Sequence, residues 1–125
     1  MMNDEVMADW THLDEEGKPG MVDVSAKETT VRRAVAECRV RVGATIAQAM
    51  AEGDLMTKKG AVLQTAVIAG TQGAKKTAEL IPFCHPLPLD ACRIEAVLEG
   101  GSHVRVRCEC RTTARTGVEM EALTA

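Results

Sequence analysis

The chain has 125 residues, of which 46% are hydrophobic and only two are aromatic, and its formal net charge is −3. This composition supports one folded domain with an aliphatic core and excludes an intrinsically disordered chain. The acidic balance and the shortage of aromatic rings argue against a nucleic-acid-binding protein, since single-stranded nucleic acids commonly stack on such rings.

Five cysteines are present, and no secretory hydrophobic segment precedes them. Reduced thiols in the cytoplasm are the simplest interpretation, and no apolar run has the length of a membrane span. Cys84 adjoins His85, and Cys108 and Cys110 are two residues apart, so a small metal-binding protein is one alternative. The paired C-x-x-C elements of zinc sites are missing, however, and cysteine is a common core residue. We therefore predict no metal ligands.

Residues 1–20 are predicted to be a mobile N-terminal leader that ends in a turn. They carry six acidic side chains and finish with Gly17-Lys18-Pro19-Gly20. No repeat, low-complexity segment or linker follows, so residues 21–125 are expected to form a single domain.

Hydrophobic periodicity predicts the first strand and two helices. Apolar residues alternate over residues 34–42, which predicts a half-buried strand, and residues 44–52 predict a short helix that ends at Gly53. The longest helical pattern covers residues 60–80. Its broad apolar face is built of small side chains, which let another backbone come close. We expect this helix to pack against several elements or another subunit, or equally to lie on its own sheet.

Two further alternating runs cover residues 92–98 and 104–110. Glu99-Gly100-Gly101-Ser102 between them is typical of a hairpin turn. With the first strand these runs predict an antiparallel sheet with helices packed on one face, which is an α+β fold.

The stretch of residues 81–89 contains three of the four prolines and one of the three histidines. A proline fixes its own φ and pushes the preceding residue out of the helical region. The upstream helix should therefore end near Leu80, and His85 should be extended. A stiff loop that presents a titratable side chain suits a functional site. A rigid connector whose histidine only binds a backbone carbonyl explains the local chemistry equally well.

Charged residues elsewhere could contribute to such a site. Lys59 lies near the predicted start of the long helix, where a lysine beside free N–H groups could bind an anion, although a solvated lysine is the more common case. Glu119 and Glu121 would share a face on a strand but would point about 200° apart on a helix. If both serve one pocket, their backbone should be extended or turning. Otherwise they are carboxylates that complement a helix dipole.

These segments together closely resemble the MoaC family of molybdenum-cofactor biosynthesis proteins, the cyclic pyranopterin monophosphate synthases. The resemblance runs from Thr11-His12 to the last residue, and its most specific parts are the Cys84-His85-Pro86-Leu87 loop and the run over residues 117–125. The other matching stretches are Met21-Val22-Asp23-Val24-Ser25, Lys59-Gly60, Ile68-Ala69-Gly70 and Ala74-Lys75-Lys76-Thr77.

The resemblance implies a ferredoxin-like α+β fold and a cytoplasmic enzyme that works as a homo-oligomer, a hexamer assembled from dimers. It implies conversion of 3′,8-cyclo-7,8-dihydroguanosine 5′-triphosphate, which is made from GTP, into cyclic pyranopterin monophosphate and pyrophosphate. No redox cofactor, nucleic acid or membrane is implied. Whether magnesium accompanies the pyrophosphate stays open.

The resemblance also implies roles for individual residues. Lys59, His85, Glu119 and Glu121 are expected to be catalytic. Rebuilding a purine as a pterin needs proton transfers, and closing a cyclic phosphate needs cations near developing negative charge. The substrate-contacting residues implied are Lys75, Phe83, Cys84, His85, Met120 and Glu121, with Asp23 and Arg32 as weaker matches.

The sequence departs from the family pattern at its end. In the family, the helix that begins near Glu121 continues into an Asp-Met-Cys-Lys-type motif with a catalytic aspartate and lysine, and this sequence ends before it. A core helix cut at its first turn would leave apolar sheet exposed, so we expect a truncated or incompletely recorded chain. The alternative is an oligomeric module that binds a nucleotide or pterin without turnover.

Overall fold

Three alternating segments of the sequence fold as long antiparallel strands in the computed structural model, whose described residues are 10–125. β1 (Thr30–Arg41), β4 (Leu89–Glu99) and β5 (His103–Ala114) form one sheet in the order β1-β5-β4. The predicted hairpin turn joins β4 to β5, with Gly100 and Gly101 at φ values of 65° and 73°. Glycine adopts this left-handed conformation without steric cost.

The remaining elements lie between and after these strands. They are α1 (Gly43–Ala49), the short strands β2 (Met56–Thr57) and β3 (Gly60–Ala61), α2 (Val62–Lys75), α3 (Thr77–Leu80) and α4 (Glu119–Thr124). Within residues 10–125, none of the helices has the length and apolar character needed to cross a membrane. Residues 1–9 of the predicted leader lie outside the described residues. In the described part of the leader, Leu13 pairs with Pro19 across a turn.

The predicted single helix over residues 60–80 is two helices. The break falls at Lys76, where Thr77 donates its hydroxyl to the carbonyl oxygens of Gly73 at 3.3 Å and Ala74 at 2.9 Å. A side-chain hydroxyl that binds these carbonyls competes with the regular backbone pattern. The second helix ends at Leu80, as the following proline predicts.

The chain order β1-α2-β4-β5-α4 is that of the first five elements of a ferredoxin-like fold. β1 and β4 both run antiparallel to β5 and are therefore parallel to each other. The connection between them carries α2, which packs on β4 and on α4. The predicted α+β fold, with an antiparallel sheet and helices packed on one face, is confirmed.

The helix-covered face of the sheet holds the core. Cys108 and Cys110 of β5 pack there with Ala74 of α2, Val118 and Ala122 of the α4 segment. The expectation that small residues let α2 approach other elements is confirmed. A Cβ atom added at Gly73 would lie 2.9 Å from the carbonyl oxygen of Thr124.

The opposite face of the sheet is charged. Arg105 lies 3.1 Å from Glu99 and 3.5 Å from Glu37, and Arg33 donates to Glu109 at 2.7 Å. Exposed ion pairs of this kind contribute little stability individually. This charged face of the sheet is therefore in contact with solvent. The candidate functional site lies in another part of the fold.

Replacing Gly73 by alanine tests the close approach of α4 to α2. The added methyl group meets a backbone oxygen that cannot rotate away, and overpacking costs about 1–3 kcal/mol. Alanine also favours the helix by about 1 kcal/mol. We expect Gly73→Ala to lower the free energy of unfolding in urea by about 1 kcal/mol on balance. Gln72→Ala, at an exposed position of the same helix, is the matched control. An unchanged or raised stability of Gly73→Ala would show that the two helices are not in close contact.

Candidate functional site

The proline-rich loop between α3 and β4 forms one wall of a cavity of about 340 Å³. The cavity is lined by His12, Ile81, Pro82, Phe83, Cys84, His85, Thr116 and Met120. Phe83 is 42% exposed and Met120 is 43% exposed. Large apolar side chains that stay accessible in a concave site, beside a few polar groups, are typical of a small-molecule pocket.

The loop is fixed at both ends. The amide of Cys84 donates to the carbonyl oxygen of Ile81 at 3.2 Å, and Thr112 of β5 donates its hydroxyl to the carbonyl oxygen of Pro88 at 2.5 Å. With three prolines between these anchors, the loop has little conformational freedom to lose when a ligand binds.

His85 lies between two cavities. A second cavity, of about 300 Å³, is lined by Val24, Pro86, Arg115 and neighbouring residues. His85 and Thr116 line this cavity as well as the first one. The Nε2 atom of His85 lies 2.7 Å from the carbonyl oxygen of Val22. Because a carbonyl oxygen only accepts, Nε2 carries a proton, and Nδ1 is the nitrogen that can exchange one. The histidine thus binds a backbone carbonyl and also lines a pocket.

Asp23 supplies a negative charge near this ring. Its carboxylate accepts from the amide of Ser25 at 2.9 Å. Hydrogen bonds from Ser25 are the main cause of a lowered pKa at Asp23, and the nearby His85 lowers this pKa further. Asp23 therefore stays ionised and places a negative charge beside the ring.

Cys84 lines the cavity, and the buried carboxyl group of Glu121 lies close to it. Burial raises the pKa of the Cys84 thiol, and the nearby Glu121 raises it further. Glu121 is 2% exposed, and its Oε2 atom has no hydrogen-bond partner among the described residues. Burial raises the pKa of Glu121, with a smaller contribution from Glu119. Cys84 therefore offers a thiol and not a thiolate nucleophile.

The two C-terminal glutamates point in different directions because α4 begins at Glu119. Glu119 is exposed, whereas Glu121 is buried, and neither lines the cavity. The extended backbone that would present both to one pocket is not found. The carboxylate of Glu119 folds back over Gly117, where an added Cβ atom would overlap it.

The predicted lysines do not join this cavity within one chain. Lys59 lies in the turn between β2 and β3, and its amide donates to the Thr57 hydroxyl at 3.1 Å. Lys75 is exposed at the end of α2, and among residues 10–125 no lysine or arginine lines the cavity. The guanidinium of Arg32 reaches the carbonyl oxygen of Arg115 at 3.5 Å, and its Nε is buried without a partner among the described residues.

The suggested anion site at the start of the long helix is wrong. Asp54 already fills it, because its carboxylate accepts from the amides of Leu63 at 2.7 Å and Gln64 at 3.0 Å. The hydrogen bond from Leu63 is the main cause of a lowered pKa at Asp54. The Asp54 carboxylate thus supplies the negative charge at the N-terminus of α2, and these amides need no bound anion.

The metal site suggested around Cys84, His85, Cys108 and Cys110 is also not formed. The one group of three such side chains found within the described part of the chain is Cys92, Cys108 and Cys110. Cys92, which is not part of the metal-binding alternative, joins Cys108 and Cys110 across the sheet.

Sequence reasoning missed two residues of the cavity, His12 and Thr116. His12 belongs to the segment predicted to be a mobile leader, and Thr116 precedes the specific C-terminal run. The signal was present, since both residues fall within the part of the chain that resembles the family.

Comparisons with known proteins show the family to which this sequence is similar. The sequence profile described as the MoaC family matches residues 21–125. A cyclic pyranopterin monophosphate synthase of Xanthomonas oryzae pv. oryzae is 55% identical over 114 residues, which cover 91% of this chain and 69% of that protein. A synthase of the same name from Roseiflexus sp. is 50% identical over 95% of this chain and 75% of its own length. A molybdenum cofactor biosynthesis bifunctional protein of Synechocystis sp. is 47% identical, and the match covers 91% of this chain and 34% of that protein.

Glu121→Gln tests the buried carboxyl group through the pH dependence of stability. Because the folded state raises the pKa of Glu121 above 4.5, the folded chain binds more protons than the unfolded chain just above that pH. The free energy of unfolding of the unsubstituted protein should therefore fall as the pH rises from 4.5 through the raised folded value.

Glutamine carries no titrating proton, so this fall should be missing in Glu121→Gln. At neutral pH the variant should be more stable by about 1 kcal/mol, because an unpaired buried charge is removed. Urea denaturation across the pH range measures both effects, and Glu119→Gln is the exposed control. Parallel stability curves for Glu121→Gln and the unsubstituted protein would contradict a raised pKa of the buried carboxyl group.

Proposed function

Because the chain belongs to the MoaC family, we propose that it converts 3′,8-cyclo-7,8-dihydroguanosine 5′-triphosphate into cyclic pyranopterin monophosphate and pyrophosphate, a reaction of molybdenum cofactor biosynthesis. The matched profile covers residues 21–125. Relatives that are 55% and 50% identical to this chain over the aligned residues carry the name of that synthase.

One observation supports this proposal most strongly. The two segments that are most specific to the family, the loop around His85 and the run over residues 117–125, meet at one cavity. The loop contributes Phe83, Cys84 and His85, and α4 contributes Met120. The apolar side chains Phe83 and Met120 suit the flat face of a purine or pterin ring.

His85 is the proposed proton carrier. The rearrangement moves protons between nitrogen and carbon atoms, and a positioned imidazole is the side chain most often used for such transfers. The hydrogen bond from Nε2 to the carbonyl oxygen of Val22 holds the ring in place. We assign Nδ1 as the atom that takes up and returns the proton.

Glu121 is the proposed second acid–base group. Its raised pKa moves this carboxyl group toward the range in which it can both donate and accept protons. Glu121 does not line the cavity, so we propose that substrate binding opens the cavity to its buried Oε2 atom, which has no partner among the described residues and would then accept a hydrogen bond from the guanine-derived ring. Glu119 is proposed to act from the exposed start of the same helix.

The phosphates of the substrate need cations, and we propose that these come from a neighbouring subunit. Within residues 10–125 the cavity lining contains no lysine or arginine, whereas a triphosphate needs positive charge around it. Lys59 and Lys75 are exposed and therefore available to another chain. Arg32 and Arg115 lie toward the second cavity of the same chain. The proposed assembly is a hexamer built as a trimer of dimers.

The proposed reaction needs no redox cofactor, because it rearranges the substrate and eliminates pyrophosphate. Magnesium would enter with the triphosphate, since hard oxygen ligands suit that ion. The reaction is proposed to take place in the cytoplasm. In support, all the cysteines among the described residues are free thiols.

Product formation tests the proposed activity directly. The purified chain is incubated with the cyclic GTP-derived triphosphate, and pyrophosphate and cyclic pyranopterin monophosphate are measured together. We expect both products in equal amounts from a chain that also carries the family's C-terminal Asp-Met-Cys-Lys-type motif, and little of either product from the 125 residues alone, because the resemblance places a catalytic aspartate and lysine in that motif. Tight binding of the triphosphate without either product would favour a module that binds and does not convert it. His85→Ala should lower turnover by about 10²–10⁴-fold, the usual contribution of a general acid–base group.

His103→Ala is the matched control, because His103 is the first residue of β5 and its Nδ1 atom contacts the Ser102 hydroxyl outside the cavity. This control should keep its activity and the same oligomeric state. Unchanged turnover in His85→Ala would contradict the assignment of His85 as the proton carrier.

Subunit complementation tests the shared site. His85→Ala and Lys59→Ala are each expected to be inactive as pure oligomers. When the two variants are co-expressed, random mixing should restore about a quarter of the sites, because such a site takes its histidine from one chain and its lysine from another. No recovered activity in mixed oligomers of the normal mass would contradict a site shared between subunits.

A further inference from the structure

Three cysteines converge on the helix-covered face of the sheet, away from the cavity described above. The Sγ atoms of Cys108 and Cys110 are 3.6 Å apart, those of Cys110 and Cys92 are 3.9 Å apart, and those of Cys92 and Cys108 are 4.0 Å apart. The three sulfur atoms therefore form a nearly equilateral triangle. None of the proposed catalytic steps uses these thiols.

The strand register builds this triangle. Cys108 and Cys110 are two residues apart on β5 and so point to the same face. Cys92 of β4 pairs directly with Cys110. Long strands on both sides hold the three Cα positions, so the sulfur atoms are brought together before any ligand is present.

The size of the triangle suits a thiolate-bound ion. An atom at its centre would lie about 2.2 Å from each sulfur, close to the distance of about 2.3 Å between zinc and a thiolate sulfur. Thiolates select soft ions. Because the sulfur atoms already have this spacing, an ion could bind to all three without a change in the sheet.

The residues around the three cysteines provide no fourth ligand, so the site suits an ion that needs only three. The cluster lies in an apolar core with Ala74, Val118 and Ala122, and within residues 10–125 no further histidine, cysteine or carboxylate joins it. Zinc in structural sites almost always takes four ligands. Cys108 lines a small cavity of about 80 Å³ together with the exposed Cys38, and this cavity would be the entry path for an ion.

The net charge of the complex between the ion and the three thiolates further limits which ions could bind. Three thiolates around a monovalent or divalent ion leave a negative charge in an apolar core, which is costly to bury. Three thiolates around a trivalent ion give a neutral group. Burial raises the pKa of Cys108 and Cys110, so only an ion with high affinity for sulfur will displace their protons.

We propose that Cys92, Cys108 and Cys110 form a binding site for a trivalent thiophilic ion of the arsenic(III) class. Arsenous acid carries three hydroxyl groups. Three As–S bonds form, three As–O bonds break, and each departing hydroxyl takes one thiol proton and leaves as water. No oxidant or reductant is required. The product ties β4 to β5 in the core beneath α4.

Arsenite is the probe for this site. Native mass spectrometry of the intact chain should show one arsenic bound with the loss of three protons, and X-ray absorption should show three sulfur neighbours and no oxygen. Thermal unfolding in the presence of arsenite should occur at a higher temperature, since an ion that binds only the folded state stabilises it.

Cys92→Ala and Cys110→Ala should each lose the three-sulfur complex and the thermal shift. Cys38→Ala, which removes an exposed thiol near the entry path, should keep both. No arsenic uptake by the unsubstituted chain, fewer than three sulfur neighbours, or unchanged uptake in Cys92→Ala would overturn the proposal. Tighter binding of zinc with a fourth, non-sulfur ligand would overturn the three-coordinate assignment. The absorption spectrum of the unsubstituted chain decides the question even if a core variant fails to fold.

Discussion

The close contact between α2 and α4 is the constraint on which the rest of the structure depends. At Gly73 the missing side chain lets the carbonyl oxygen of Thr124 approach the helix directly. This contact seats α4 over β1 and β5, which buries Ala122 in the core and holds Met120 against the proline-rich loop. A larger residue at position 73 would move α4 outward, and the cavity would lose one wall.

The proline-rich loop supplies the opposite wall, and its rigidity has a chemical consequence. His85 is fixed by its hydrogen bond to Val22 on one side and lies beside an ionised Asp23. Glu121 is buried and biased toward its neutral form. A reaction with several proton transfers needs groups with different proton affinities, and this region offers an imidazole together with a carboxyl group whose pKa is raised by burial.

Local rules predicted the features that depend on sequence neighbours. The alternation of apolar and polar residues predicted the three long strands, and the proline after Ile81 predicted that α3 ends at Leu80. The failures came from contacts between distant residues or from side-chain competition. Asp54 caps α2 from outside the helix, and the hydroxyl of Thr77 divides a helix that is continuous in its pattern. The place of His12 in the cavity follows from the tertiary fold, so periodicity and turn rules could not reveal it.

The central claim is that the cavity between the loop and α4 is where the guanine-derived triphosphate reacts. A crystal structure of the chain with that triphosphate bound tests it most directly. The account predicts that the ring system lies against Phe83 and Met120, with His85 within hydrogen-bonding distance of an atom that changes its protonation. The triphosphate should extend toward lysines of a neighbouring subunit. A triphosphate bound elsewhere, with the cavity empty, would contradict the account and leave the loop as a rigid connector.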